Sequence, residues 1–160
     1  MRSRSSTLWR SDDPGRAGRA GHRMRLGLRL HLGMGTSLEP SAAQIAALAA
    51  RPAEAPVVMV NLLQFRAEGG RERYLRYAQE VAPHIQRVGA TVRYAGASAQ
   101  QVIGEGERPW WDAILIVEYP SPAAFLEMVT DEEYLKVHEH RAAALDRGDL
   151  IATSTWSVAE

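Results

Sequence analysis

Tyr134, His138 and Arg141 lie at offsets of zero, four and seven, the spacing that sets side chains along one side of a helix. A phenol, an imidazole and a guanidinium held together suit the orientation and polarisation of an anionic or enolic substrate. In that reading His138 is the general base, because imidazole is the side chain that ordinarily exchanges its proton near neutrality. The same residues have a structural reading, in which Tyr134 packs its ring, Arg141 pairs with an acid such as Asp131 or Glu118, and His138 is solvated. His138 and His140 do not make a metal site, since two residues on a helix are separated by roughly 200° of rotation.

Further candidates are scattered along the chain. His84 follows Tyr77 by seven residues, so both lie near one line of an earlier helix and can wall a ligand cavity; His84 is otherwise an ordinary hydrogen-bonded histidine at an edge. Asn61 and Arg93 fall inside apolar, strand-like runs, where an unpaired polar group costs about 1–3 kcal/mol. Either they line a wet cavity and bind ligand, or they pair with each other and with Glu118. Trp110 and Trp111 point to opposite sides of an extended chain, so at most one enters the core and the other can wall a pocket or a dimer seam. Two loops carry no chemistry. Gly104-Glu105-Gly106-Glu107-Arg108-Pro109 lacks the third glycine of a dinucleotide loop, and Gly96-Ala97-Ser98-Ala99-Gln100 lacks the closing glycine of a nucleophile elbow.

The elements that must position these residues follow from pattern. Ser41 and Gln44 form a capping box that predicts a short leader helix from Ala42 to Arg51, ended by Pro52 and Pro56. Val57 to Phe65 is β-branched and apolar at both parities and reads as a strand buried on both faces. Tyr74, Tyr77, Val81, Ile85 and Val88 recur every three or four residues, giving an amphipathic helix with a kink expected at Pro83 and a stop at Gly89. Thr91 to Gly96 is a second strand, which Val102 and Ile103 prolong past a bulge; Ala113 to Val117 is a third. Ser121 caps a helix with Pro122 at its first position, and Thr130 with Glu133 forms a box that restarts it. Gly148 closes that helix, and Leu150 to Trp156 is the last strand. The order is β-α-β-β-α-β, a ferredoxin-like α+β sandwich. Both helices of such a fold cover one face of the sheet. The apolar residues at both parities therefore imply a homodimer covering the other face, unless the leader helix folds over it.

Several segments share an order with a known family. Tyr74-Leu75-Arg76-Tyr77, Ala82-Pro83, Val88-Gly89-Ala90, Trp111-Asp112, Val117 to Ser121, Glu133-Tyr134 with Arg141, and Gly148-Asp149-Leu150 together resemble the bacterial family DUF1330 over about residues 56–158. The resemblance implies a dimeric α+β barrel, a superfamily whose relatives include cofactor-free monooxygenases, lactone isomerases and haem-handling enzymes. It implies no agreed activity.

Composition bounds the rest. The 160 residues favour one domain with a tail. Residues 1–33 carry eight Arg against Asp12 and Asp13, and are broken by Gly and Pro. They read as a disordered tail, with leucines alternating from Leu26 to Leu32: a basic arm, an Arg-rich targeting peptide or, the favoured reading, sequence upstream of a working start at Met34. The remainder carries eleven basic against seventeen acidic residues, which argues against nucleic-acid or anionic-membrane partners. No cysteine is present to supply a thiol nucleophile, disulfide or thiolate ligand. The chain has no apolar run of membrane-spanning length, and the cytoplasm is the expected compartment. Two functions follow from residues 56–158. One is a cofactor-independent oxygenase or isomerase using a cavity between sheet and helices. The other is a module that binds or senses a small molecule there without turnover.

Overall fold

The structure, a computed structural model, describes residues 38–158. The expected tail at 1–33 lies outside the described residues. Ser41 caps α1 (Ala42–Ala49) as the capping box requires: its Oγ accepts from Gln44 N at 3.2 Å and its own N donates to Gln44 Oε1 at 2.8 Å. Four strands follow, β1 (Val57–Phe65), β2 (Thr91–Ala97), β3 (Ala113–Tyr119) and β4 (Leu145–Thr153). The helix between β1 and β2 is α2 (Gly70–Arg87), which continues through Pro83; α3 (Pro122–Val129) and α4 (Glu132–Ala144) connect β3 to β4. The sheet order is β2-β3-β1-β4 with every pairing antiparallel, the ferredoxin-like arrangement.

Strand parity sorts the two faces. Val57, Met59 and Leu63 on β1 and Ala113, Val117 and Tyr119 on β3 are buried under the helices. Each large apolar side chain so buried is worth about 1.5–3 kcal/mol. Val58, Val60 and Leu62, with their neighbours Ile114 and Ile116, turn to the opposite face and are only half-buried. Tyr94 and Ile151 flank them at 56% and 46% exposure. The leader helix does not cover this face. Its Leu48 joins the core on the helical side, and Gln44 and Ile45 line a cavity there.

Several boundaries differ from the sequence reading; α1 ends at Ala49 rather than Arg51 and the last strand at Thr153 rather than Trp156. Thr130 is not the cap of α4: it ends α3 in a helical conformation, its hydroxyl donating to Leu126 O at 2.8 Å. Asp131, one residue on, is extended and accepts from Tyr134 N at 2.9 Å, so it supplies the cap. Gly148 does not stop α4, and the last strand starts at Leu145 rather than Leu150. The reason lies in Arg66, whose N donates to Ala144 O and whose Nε donates to Leu145 O, satisfying carbonyls a glycine turn would otherwise serve. Gly148 instead pairs with Leu63 within the sheet. Val102 and Ile103 do not extend β2; they stand 87% and 90% exposed in the connection to β3. Trp110 and Trp111 also precede β3, so strand alternation does not govern them.

Candidate functional site

The helical face of the sheet and the helices above it enclose a cavity of about 690 Å³. Its volume is that of ordinary small-molecule pockets, about 300–1,000 Å³. Met59, Val81, Val117, Phe125 and Met128 make much of the wall apolar, and Leu38 to Leu48 form its rim. Polar groups line it from several elements: Asn61 from β1, Tyr74 and Tyr77 from α2, Tyr134, His138 and Arg141 from α4, Glu39 at the rim, and Asp149 from β4, which pairs with Arg147 at 3.1 Å.

The α4 spacing does gather its three candidates. Tyr134 and Arg141 are buried, Arg141 with 7% exposure. The expected acid partners of Arg141 are engaged elsewhere: Asp131 with Arg87 at 3.3 Å and His84 at 3.9 Å, and Glu118 with Arg93 at 3.0 Å. Among the described residues no ion pair includes Arg141. Its charge opposes part of the rise in the Tyr74 pKa, and its Nη2 is close enough to Gly148 that a Cβ there would sit at 3.4 Å. A buried guanidinium without a carboxylate is costly unless another anion serves it.

His138 is engaged at both nitrogens. Its Nε2 lies 2.8 Å from Glu39 Oε1, and its Nδ1 lies 3.3 Å from the Tyr134 hydroxyl. A carboxylate only accepts, so Nε2 carries the proton, and in the neutral ring Nδ1 is left as an acceptor for Tyr134. Burial pushes the phenols of Tyr74, Tyr77, Tyr119 and Tyr134 above the usual range, Tyr74 to about 12. The neighbouring Tyr77 hydroxyl and the Arg141 charge partly offset that rise in Tyr134.

The other candidates divide. Tyr77 and Asn61 line the cavity; the Asn61 Nδ2 reaches Leu115 O only at 3.5 Å. His84 sets its ring edge-on to Tyr134, centroids 6.0 Å apart, but does not line the cavity. Arg93 is exposed and bound to Glu118 in a two-bond pair, away from the cavity and from Asn61. Trp110 lies beneath the Arg147 guanidinium, 3.8 Å from its centroid, and Trp111 walls a separate hollow with Phe65, Arg71 and Arg108. His138 and His140 bind different acids, His140 pairing with Glu80 at 3.3 Å. Among the described residues no three His, Cys, Asp or Glu side chains cluster to hold a metal. Sequence reasoning missed Glu39, which no periodicity connects to a helix 99 residues away. It also left Tyr74 as a core residue.

A family profile described as "Domain of unknown function (DUF1330)" matches residues 67–155. The chain belongs to the DUF1330 family. Among solved structures, two of the RPA0582 protein resemble it. The methylated form is 31% identical, with 79% of this chain and all of that one covered and a TM-score of 0.69. The other, described as a protein of unknown function from Rhodopseudomonas palustris, is 30% identical, with coverages of 76% and 98% and a TM-score of 0.67. At3g17210 from Arabidopsis thaliana is 16% identical over 65% of this chain and 99% of its own, with a TM-score of 0.50, and shares the fold alone. No curated protein matches the sequence. This DUF1330 chain thus has its fold and family in common with proteins that bring no assigned reaction with them. Among the described residues no helix is long and apolar enough to cross a membrane.

Proposed function

We propose that this protein takes up a small, largely apolar molecule bearing one anionic or enolisable oxygen group, and acts on it without a cofactor as an oxygenase or isomerase. The observation that carries this is Arg141, buried in the cavity wall with no carboxylate partner among the described residues. The ligand's oxygen would take that place. Asn61, which lines the same cavity, supplies a second contact. Tyr134 and His138 supply the proton-handling groups.

Binding without turnover is the second reading, favoured by the extent of aliphatic and aromatic wall around few polar groups. Either way we infer a homodimer through the open sheet face, where Val60, Leu62, Ile114 and Ile116 form an apolar patch that no described element covers. The ligand site is on the opposite side of the sheet. The test is a thermal-shift screen of small carboxylates, enols and phenols, followed by binding and product assays on the parent, His138→Gln and Arg141→Ala. Turnover lost in His138→Gln with affinity retained supports the enzyme. Affinity lost in Arg141→Ala with no turnover in the parent supports the binding module. The absence of any shift across the panel refutes both.

A further inference from the structure

Glu39, His138 and Tyr134 form a single line of contacts from the rim to the cavity. The Glu39 side chain is 64% exposed, the His138 side chain only 15%, and Tyr134 is buried in the wall. In the neutral ring, Nε2–H of His138 donates to the Glu39 carboxylate and Nδ1 accepts from the Tyr134 hydroxyl, so the hydrogens in this line all point one way. The Tyr134 oxygen keeps a lone pair for a proton arriving from the cavity.

We propose that this line is a proton relay in which Tyr134 takes a proton from an enolisable or phenolic ligand, His138 stores it and Glu39 positions the imidazole. The inference rests on the reading of the cavity as a ligand site. In the step, the ligand's O–H or activated C–H bond breaks and its proton joins the Tyr134 oxygen as the hydroxyl's own proton passes to His138 Nδ1. The electron pair stays on the ligand as a phenolate or enolate facing Arg141, and His138 becomes an imidazolium against Glu39. No oxidant or reductant is needed. Tyr134 and His138 move the proton; Glu39 is a positioning residue, holding the tautomer that leaves Nδ1 free.

The test uses the full chain and 4-nitrophenol, whose anion is yellow and whose neutral form is not, at a pH where the free probe is mostly neutral. Binding is followed by quenching of tryptophan fluorescence and ionisation by absorbance. The parent is expected to bind the probe as its anion. Tyr134→Phe and His138→Gln should bind it but leave it neutral. Glu39→Gln should lower the ionised fraction about tenfold, the effect of losing a charge-assisted hydrogen bond, and Glu39→Asp should restore most of it. His140→Gln, on the Glu80 pair, should match the parent. An unchanged anion fraction in Tyr134→Phe and His138→Gln overturns the relay and leaves the cavity reading standing, since Arg141 alone would then be making the anion. A parent that shows no saturable binding overturns the cavity reading and the relay with it.

Discussion

Replacing Arg141 by Met separates a residue kept for its ligand from one kept for the fold. Methionine retains an unbranched stem of similar length but removes the charge. Arg141 is 7% exposed and has no acid partner among the described residues, so folding strips water from the guanidinium and returns no carboxylate in its place. A hydrogen bond of a charged group contributes about 1.5–3 kcal/mol, while removing an ion from water costs several kcal/mol even after relaxation. The balance favours Met by roughly 0–2 kcal/mol. Arg141→Ala also removes the packed stem and should cost about 2–4 kcal/mol, well beyond the ~0.5 kcal/mol of a surface change. For a domain of this size 1 kcal/mol moves the melting temperature by about 3–5 °C. Calorimetry should therefore place Arg141→Met at or above the parent and Arg141→Ala about 6–20 °C below it. Both should lose anion affinity by about 30-fold or more, the cost of removing one partner of a buried charge pair. If Met melts as low as Ala, the guanidinium is an anchor of the fold and the argument from its missing partner is wrong.

Gly70→Ala should destabilise by about 1–3 kcal/mol or more in urea denaturation, because a Cβ there would lie 2.6 Å from the Ala144 carbonyl, a backbone atom that cannot step aside. Alkaline titration should show four of the five tyrosines ionising late. A phenol whose folded pKa is raised holds its proton more tightly in the folded state, so its contribution is whole below pH 10 and is lost as pH rises towards the folded value, about 12 for Tyr74. Tyrosine ultraviolet absorbance that rises in one ordinary step, with the protein still folded, would contradict this. Ile116→Glu, placing a charge between Val60 and Tyr94 on the open face, should turn a dimer into a monomer by light scattering, and an unchanged particle mass would exclude that face as the interface. Removing residues 1–33 should leave particle mass lower only by the residues removed and the thermal transition in place; loss of the transition would show that the domain at 34–160 needs them.

What was legible in the sequence is what periodicity and capping encode. Val57 to Phe65 emerged as a strand with its observed bounds because β-branched residues at both parities leave no helical alternative, and Ser121-Pro122 started α3 through a cap that is local by nature. Where the reading missed, a distant group had taken over a local role. Thr130 and Asp131 are both cap formers, and the geometry at the end of α3 decides between them. Gly148 resembles a helix stop, yet Arg66, 79 positions from the Leu145 carbonyl that it binds, does the stopping.

The same division runs through the candidate site. Tyr134, His138 and Arg141 share a helix, and helical spacing suffices to find them. What makes them chemically interesting does not lie on that helix: Glu39 sits on the opposite side of His138 from Tyr134, and Tyr74 meets Arg141 from α2. Nor does spacing reveal that Asp131 and Glu118 are already committed to Arg87 and Arg93. The unpaired state of Arg141 is thus a property of the whole acid–base inventory of the domain. It can be recognised only after every carboxylate near the cavity has been assigned a partner, and it is the feature on which the ligand reading depends.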